Sequence, residues 1–404
     1  MPLINKIKAI EINDSRGKPT LRVEIWADDM VGVFDVPSGA STGSNEAMEL
    51  KDADGHVTKA IENINSIIAP VILGKDPTNQ QNIDTTLLQL DGTPNKSNLG
   101  ANSILGVSVA CAKLAAQLLG IPTYEYLRKI SNIKESNVMP LLFMNLLNGG
   151  KHAKNGLAFQ EYHVVSDTQD IEESVNLGKQ IQKNLDEICK RELGVEEITM
   201  GDEGGIAPKV TDVKLPLRWL RQAVEATGTS VPVRFALDVA ASSFYLEGKY
   251  LINGELIDRG ELLSIYREII NEFDILSIED PFYEEDFDSF HKLKSEFPNL
   301  CVVGDDLTVT NIDRLKIAIN KDSINGVIIK LNQIGTLTET IETIEFAVKN
   351  NIKLIISHRS GETMDDFIAD LAYAFGVFGL KSGSPVARER MVKYERLIKI
   401  SKVS

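Results

Sequence analysis

Three acidic residues stand at the ends of successive short apolar runs. Asp238 follows VRFAL, Glu279 follows DILSI, and Asp305 follows LCVVG. Three carboxylates brought to one place repel one another unless a divalent cation lies between them, and ligand sets made only of oxygen favour Mg²⁺ over zinc. Any one of these acids alone is more typical of a solvated loop. The three together predict a magnesium site.

Cationic side chains end the apolar runs that follow. Lys330 comes directly after GVII, and Lys381 ends FGVFGLK. Positive neighbours lower the pKa of an ammonium group, so we expect Lys330 to be a usable base. The run KLIIS leads into His358, Arg359 and Ser360, whose guanidinium and hydroxyl groups suit a phosphate or a carboxylate.

One more acid, Glu203, lies between glycines in GDEGG, where a carboxylate can be presented to a ligand with little steric cover. Such loops are usually only turns, so the signal is weak by itself. Together with the strand-end residues it suits proton abstraction next to a carboxylate, followed by loss of a leaving group. A divalent metal offsets the charge, a lysine takes the proton, and a glutamic acid protonates the departing hydroxyl.

The stretch GASTG around Ser41 fits the G-x-S-x-G pattern of a nucleophile elbow. The chain order of Ser41, an acid and then His358 permits a serine hydrolase. That elbow must follow a strand of a parallel sheet, however, and here it follows a hairpin-like meander. We therefore predict that residues 36–44 form a mobile lid, in which two glycines give the backbone freedom to close.

The strand-end residues need a fold that brings them together. A parallel barrel delivers the last residue of every strand to one face. The apolar runs typical of buried parallel strands are LLFMNLL, EYHVV, VRFAL, DILSI, LCVVG, GVIIK, KLIIS and FGVFGL. They predict an α/β fold with a (β/α)8 barrel over residues 138–404. With eight strands assigned, ITMGD (198–202) is predicted to be a loop.

The first part of the chain has a different pattern. KIKAIEI, TLRVEIWA and VGVFDV alternate in a strand-like way and predict an antiparallel meander. Helices are predicted over NEAMELKDA, VTKAIENINSIIAPVI and ANSILGVSVACAKLAAQLLG. We therefore expect an N-terminal α+β domain over residues 1–131, with the polar run SNIKESN (131–137) as the linker to the barrel.

Composition limits the function classes. Fifty-eight acidic residues against 43 basic ones give a net charge of -15, which argues against binding to nucleic acid or anionic membranes. No stretch approaches 18 uninterrupted apolar residues, and the N-terminus lacks a signal-like apolar region, so we expect a cytoplasmic protein. The three cysteines are far apart and indicate neither a disulfide framework nor a zinc site.

The chain resembles the enolase family over nearly its whole length. The motifs that carry the resemblance occur in the family's order: DSRG, VPSGASTG, DGTPNKSNLGAN, NGGKHA, QE, GDEGG, ALDVAAS, SIEDPF, VGDDLTVTN, KLNQIGTLTE, SHRSGET, FIADLA and KSG. The resemblance implies a barrel with an irregular start, ββαα followed by βα units. It also implies the reversible, Mg²⁺-dependent dehydration of 2-phosphoglycerate to phosphoenolpyruvate, a lyase reaction of glycolysis and gluconeogenesis.

The resemblance implies roles for single residues. Asp238, Glu279 and Asp305 match the ligands of the first Mg²⁺. Lys330 matches the base that removes the C2 proton. Glu203 matches the acid that assists loss of the C3 hydroxyl.

Further positions match residues around these. Glu161 and Lys381 match supporting catalytic groups. Ser41 matches a ligand, through its hydroxyl and carbonyl, of a second Mg²⁺ that depends on the substrate. Family members are at least dimers, so a homodimer or larger homo-oligomer is expected. The positions that match groups near the substrate are His152, Gln160, His358, Arg359, Ser360 and Lys381.

The chain departs from the family's pattern next to several of these residues. The departures are Lys18 for Asn, His163 for Met, Ser243 within ASSF, Met364 within SGETMD, and Val386, Ala387 and Arg388 after the last lysine. They bear on catalytic efficiency and assembly more than on reaction type, and His163 is interpreted as a packed histidine. Two alternatives stay open: a diverged acid-sugar dehydratase of the same superfamily, and a non-catalytic binding protein on the same scaffold. Intact SHRSG and GASTG favour a phosphorylated substrate.

Overall fold

The computed structural model describes residues 1–39 and 45–403. Ser41, and with it most of the predicted lid, lies outside the described residues. The predicted architecture is confirmed: an antiparallel sheet with helices comes first, and a closed barrel of eight strands follows.

The N-terminal sheet is the predicted meander. Its three antiparallel strands, in spatial order, are β1 (Lys6–Asn13), β2 (Pro19–Ala27) and β3 (Met30–Asp35). Alternate residues of β2 are buried, as the two-residue period of a strand with one packed face requires. The strand β3 precedes the GASTG stretch and lies at the edge of this antiparallel sheet, which is not the setting of a nucleophile elbow.

Helices pack on this sheet. They are α1 (Thr58–Glu62), a π-helical turn (Asn63–Ile68), α2 (Ala69–Ile72), α3 (Gln80–Asp91), α4 (Ala101–Leu119) and α5 (Thr123–Lys129). The second and third predicted helices are thereby confirmed. Helix α4 ends at Gly120, whose φ of 66° is left-handed and readily adopted by glycine.

The predicted helix over NEAMELKDA (45–53) is wrong, because this segment forms neither helix nor strand. Its backbone donors bond to distant partners instead. The N–H of Ala47 donates to the carbonyl of Gln333 at 2.8 Å, and that of Met48 donates to the carbonyl of Asn95 at 2.8 Å. Tertiary hydrogen bonds satisfy the backbone here, so the local helical pattern does not decide the conformation.

Helix α4 is the central helix of the N-terminal part. It is long and apolar enough to cross a bilayer by length and composition, but 78% of its apolar window is buried inside the protein. It packs against β2 and β3 as a core helix. Gly32 on β3 makes this contact close, since a Cβ atom there would lie 2.1 Å from the carbonyl oxygen of Ala110.

We expect Gly32→Ala to lower the free energy of unfolding by roughly 1–3 kcal/mol, because the added methyl group forces β3 away from α4. Urea unfolding measures the loss. Gly260→Ala is the matched control, because a Cβ there meets only the carboxylate of Asp258, at 3.1 Å. A Gly32→Ala protein as stable as its parent would show that the strand and the helix can separate without cost.

The barrel contains all eight predicted strands. In spatial order around the closed sheet they are β4 (Leu141–Asn148), β5 (Glu161–Ser166), β6 (Val233–Asp238), β10 (Ile275–Glu279), β11 (Cys301–Gly304), β12 (Gly326–Ile329), β13 (Lys353–Ser357) and β14 (Gly379–Lys381). A small antiparallel sheet, not predicted, follows β6 and consists of β7 (Tyr245–Leu246), β8 (Lys249–Ile252) and β9 (Glu255–Ile257).

One barrel strand runs against the others. β5 is antiparallel to both β4 and β6, and Glu161 at its start pairs in register with Asp238 at the end of β6. The start of β5 therefore lies at the same mouth as the ends of the parallel strands. This is the irregular ββαα start that the resemblance implied.

Helices surround the barrel. They are α6 (Ile171–Leu193), α7 (Leu215–Glu225), α8 (Arg259–Glu272), α9 (Phe287–Glu296), α10 (Ile312–Asn320), α11 (Leu331–Ile334), α12 (Leu337–Lys349), α13 (Phe367–Ala374) and α14 (Arg388–Ser401). Residues 198–202 lie between α6 and α7 and form an isolated bridge from Met200 to Ile206 rather than a strand. The loop prediction for ITMGD is confirmed.

Helices of the N-terminal part cap a helix of the barrel. The N–H groups of Leu337 and Thr338 at the start of α12 donate to Ser108 Oγ at 3.0 Å and to Asp84 Oδ2 at 2.9 Å. These acceptors satisfy helix donors that would otherwise lack partners. The contact fixes the N-terminal part against the barrel and brings its loops to the barrel mouth.

Candidate active site

A cavity at the barrel mouth gathers residues that lie far apart in the sequence. Each is placed by a strand end, by the reversed start of β5, or by a loop packed over them. The predicted residues that line it are His152, Gln160, Glu161, Glu203, Asp238, Asp305, Lys330, His358, Arg359, Ser360 and Lys381. Glu279 ends the neighbouring strand β10 and reaches the same group through Lys381.

Lys381 lies between two of the strand-end acids. Its Nζ donates to Asp238 Oδ2 at 2.9 Å and to both carboxylate oxygens of Glu279 at 2.9 Å. All three side chains are buried. Burial raises the pKa of Asp238, and burial with the nearby Asp238 raises the pKa of Glu279 well above its usual range. Gln160 adds a hydrogen bond from Nε2 to Asp238 Oδ2 at 3.3 Å.

Lys330 pairs with the third acid. Its Nζ contacts Asp305 Oδ2, and Gln333 Nε2 donates to the other oxygen of the same carboxylate at 3.0 Å. Burial alone would lower the pKa of Lys330, but Asp305 outweighs it and raises the pKa. Lys330 therefore holds its proton in this arrangement, and the lowered pKa expected of it beside a bound metal stays a prediction. The lysine is paired with an acid, whereas the expectation considered only its cationic neighbours.

The donor set fits a divalent cation. Asp238, Glu279 and Asp305 bring carboxylate oxygens, the ligands that Mg²⁺ prefers, into one buried region. Asp305 also belongs to a group with Asp280 and Asp306 whose carboxylate oxygens lie within 4.8 Å of one another. Burial and the neighbouring Asp305 raise the pKa of Asp306 to about 7. Burial and neighbouring acids raise the pKa values of Asp238, Glu279 and Asp306, so added positive charge would stabilise the ionised forms of these carboxyl groups.

A second group of buried side chains surrounds Glu203 in the same cavity. His358 Nε2 lies 3.2 Å and His152 Nε2 lies 3.6 Å from Glu203 Oε1, and Asn145 Nδ2 donates to Glu203 Oε2 at 3.0 Å. Burial and Glu161 raise the pKa of Glu203, but the two histidines outweigh them and lower it. Burial lowers the pKa of His152, yet Glu203 and Glu161 raise it overall. The proton of this pair therefore resides on the imidazole of His152, next to an ionised Glu203.

Glu161 contacts both Lys381 and the group of side chains around Glu203. Its Oε2 lies 3.3 Å from Lys381 Nζ, and its Oε1 lies 3.4 Å from His152 Nε2. Burial would raise the pKa of Glu161, but Lys381 and the histidines His152 and His163 lower it well below its usual range. Glu161 is therefore ionised and links the lysine with the Glu203 group.

Arg359 provides the cationic side of the mouth. It is buried, and its guanidinium donates to Glu46 Oε2 at 3.2 Å and to Asn332 Oδ1 at 2.8 Å. Arg16 Nη1 donates to the hydroxyl of Ser360 at 3.3 Å. An arginine fork next to a hydroxyl suits a phosphate group, which can replace the carboxylate of Glu46 as the acceptor.

Backbone pairing brings the N-terminal part to this side of the cavity. Ser38 and Gly361 exchange two backbone hydrogen bonds, at 2.8 and 2.9 Å. The segment that leads to Ser41 is thereby attached to the loop carrying Arg359. The predicted ligand role of Ser41 itself concerns a residue outside the described part of the chain.

The sequence reasoning missed several residues of this site, among them Asn145, Asp280 and Gln333 described above, and also Arg390 and Glu46. Arg390 on α14 is fully buried, and it donates to Nδ1 of His358 at 2.8 Å and to the carbonyls of Arg359 and Ser360 at 2.6 and 2.7 Å. Glu46 pairs with Arg359. An acid five residues after Ser41 was a weak signal for Glu46, whereas Arg390 lies on a helix and no local pattern distinguishes it.

Comparison with known protein families gives two matches. A family model described as "Enolase, N-terminal domain" matches residues 4–127, and one described as "Enolase, C-terminal TIM barrel domain" matches residues 136–403. The two matches cover nearly the whole chain and coincide with the antiparallel sheet and the barrel.

Curated relatives agree with these matches. The chain is 45% identical over 412 residues to the enolase of Methanopyrus kandleri, covering 99% of this chain and 96% of that protein. It is 45% identical over 404 residues to the enolase of Methanocaldococcus jannaschii and 44% identical over 408 residues to that of Thermococcus gammatolerans. Each of these two alignments covers 98% of this chain and 94% of the relative.

Proposed function

The chain belongs to the enolase family and its activity is the reversible dehydration of 2-phosphoglycerate to phosphoenolpyruvate, and we propose how its own residues divide that reaction. The observation that carries the proposal is the meeting of three acids and two lysines at one barrel mouth, together with the Glu203 group. Similarity to enolases along the whole chain argues against the acid-sugar dehydratase and the non-catalytic alternatives.

We propose that Asp238, Glu279 and Asp305 hold one Mg²⁺. When bound, the metal supplies positive charge that offsets the charge gathering on the substrate carboxylate. A second Mg²⁺, dependent on the substrate, would take Ser41 as a ligand. Lys381 already lies 2.9 Å from both Asp238 and Glu279, and its ammonium group keeps the two carboxylates next to each other.

Lys330 is proposed as the base that removes the C2 proton. Arg359 and Lys381 both lower the pKa of Lys330, while Asp305 raises it. When the carboxylate of Asp305 is engaged by another cation, Lys330 is left among positive charges and gives up its proton more readily. Lys330 can therefore accept the C2 proton more readily once a cation engages Asp305.

Glu203 is proposed as the acid that assists departure of the C3 hydroxyl, with His152 and Glu161 as supporting groups. An anionic substrate next to Glu203 raises the pKa of its carboxyl, which favours the protonated form that the role needs. His152, whose own pKa is raised, is placed to supply that proton. This division assigns proton removal and hydroxyl loss to different side chains.

The phosphate of the substrate is proposed to bind on the side of Arg359 and Ser360. Gln160 and His358 would contact the rest of the substrate from the cavity wall. Binding of the phosphate to Arg359 would compete with Glu46 for the guanidinium. This competition couples substrate arrival to movement of the N-terminal segment that carries Glu46.

The remaining proposals concern the whole protein. We propose a cytoplasmic homodimer or larger homo-oligomer. Its N-terminal domain would span residues 1–131, with the lid at residues 36–44, and the barrel domain residues 138–404. Light scattering on the purified protein measures the assembly. A monomeric mass over the concentration range of the activity assay would refute the oligomer.

We expect the purified protein to form phosphoenolpyruvate from 2-phosphoglycerate only with a divalent metal. A chelator should abolish the increase in ultraviolet absorbance of the product, and added Mg²⁺ should restore it, because the charge on the substrate carboxylate is then offset again. Asp238→Asn removes one proposed ligand and should raise the Mg²⁺ concentration needed. Undiminished turnover in the chelator would refute the metal proposal.

A further inference from the structure

His163 lies inside the barrel, one layer below the catalytic residues. It is on β5, two residues after Glu161, so the two side chains point to the same face of the strand. It is 2% exposed, and its ring makes an edge contact with Phe143 at 6.2 Å between centroids. The enolase pattern has methionine at this position. Compared with that pattern, this chain has an imidazole in place of a thioether directly beneath Glu161.

The imidazole contacts the catalytic glutamate. His163 Nε2 lies 3.0 Å from Glu161 Oε2, closer than Lys381 Nζ, which lies 3.3 Å from the same oxygen. The other oxygen of Glu161 faces His152 at 3.4 Å. Glu161 is thus contacted by His163 from inside the barrel and by Lys381 and His152 from the cavity.

The contact determines where the imidazole proton lies. A carboxylate can only accept a hydrogen bond, so a favourable contact with Glu161 requires the proton on Nε2 of His163. Neither Nδ1 of His163 nor Oε2 of Glu161 has a well-aligned hydrogen-bond partner among the described residues, so the 3.0 Å approach of Nε2 to Oε2 is a close polar contact between buried groups. An N–H at Nδ1 would therefore leave a buried donor unpaired, which is costly. A ring with its proton on Nε2 directs an N–H at Glu161 and leaves no unpaired donor at Nδ1.

We propose that His163 is a positioning residue that anchors Glu161 Oε2 from inside the barrel. The anchor keeps the ammonium group of Lys381 directed at Asp238 and Glu279, both at 2.9 Å, rather than drawn towards Glu161. It also leaves the second oxygen of Glu161 facing His152. A methionine at the same place could fill the space but has no N–H to direct at the carboxylate of Glu161. The inference rests on the proposed place of Glu161 in the active site.

The test compares three variants of the full-length protein. We expect His163→Met to lower kcat about tenfold with KM nearly unchanged, because the 3.0 Å polar contact to the charged Glu161 is lost while the substrate contacts stay. His163→Gln should recover most of that loss, since its amide nitrogen can donate near the position of Nε2. Val165→Ala is the matched control, because Val165 is the next residue on the same face and packs in the same buried cluster as Phe143.

The outcomes separate this inference from the function on which it rests. A His163→Met protein with parental kcat, or a His163→Gln protein as slow as His163→Met, would overturn the inference. Glu161→Gln tests the underlying assignment, because full activity in that variant would remove Glu161 from the mechanism. An inactive Glu161→Gln together with a fully active His163→Met would refute only the role of His163.

A spectroscopic measurement tests the inference without any substitution. The ring nitrogens of the unaltered protein, labelled with ¹⁵N and observed by NMR, should show a proton on Nε2 of His163 and none on Nδ1. The spectrum of His163→Met identifies the signal by its loss, and that of His163→Gln does so if the first variant does not fold. A proton on Nδ1 with none on Nε2 would overturn the proposed anchor.

Discussion

We expect Lys330→Ala to abolish exchange of the C2 proton of 2-phosphoglycerate with solvent and to lower turnover by roughly 10³-fold, within the range of a positioned general base. Lys330 follows the last residue of β12 and pairs with Asp305 in the cavity. Alanine leaves no group on that strand end to accept the proton. Proton NMR in deuterated solvent follows the exchange, and the absorbance of the product follows turnover.

A lysine elsewhere on the barrel provides the control for this substitution. Lys353 is exposed at the start of β13, the end of the strand away from the mouth, so Lys353→Ala should leave both rates unchanged. Lys330→Ala also leaves Asp305 with one hydrogen-bonding partner fewer, so thermal unfolding must show that the variant is folded. Exchange at the parental rate in folded Lys330→Ala would assign the base to another residue.

The second large effect is expected at Glu203. Glu203→Gln should retain exchange of the C2 proton while dehydration falls by roughly 10² to 10⁴-fold, because the amide cannot protonate the departing hydroxyl. The amide keeps the size of the side chain and can still contact Asn145, His152 and His358. The expected result is therefore a separation of two steps rather than a general loss of activity.

Asp202 offers a close control for Glu203. It is the preceding residue in GDEGG, and its side chain is exposed, so Asp202→Asn should have little effect on either step. Equal loss of exchange and dehydration in Glu203→Gln would show that the two roles are wrongly divided. Retention of both would remove Glu203 from the chemistry.

The residues at the strand ends were predictable because they follow a simple geometric rule. Each of Asp238, Glu279 and Lys381 ends a short apolar run, and parallel strands of a barrel end at one face whatever helices connect them. The rule needs only the order of the runs. The same rule could not identify Glu161, because Glu161 begins its strand rather than ending it. Its assignment came from family resemblance. The reversed direction of β5 explains why Glu161 lies at the barrel mouth.

The sequence was less informative where conformation depends on distant partners. NEAMELKDA has a helical pattern, yet its backbone donors bond to Gln333 and Asn95. The pKa of Lys330 depends on distant partners for a related reason, because charges on separate strands set it and the closest of them is Asp305. Neither partner can be identified from residues nearby in the chain.

By itself, the sequence determined the N-terminal meander, the eight barrel strands in their order, the barrel mouth as the place where their polar end residues meet, and the family to which the chain belongs. Each follows from short-range periodicity or from motifs that keep their spacing. Only the tertiary structure decided which charges are paired: Lys381 with Asp238 and Glu279, Arg390 with His358, and His163 with Glu161. Hydrogen bonds and ion pairs act over a few ångströms, and the fold alone sets those distances.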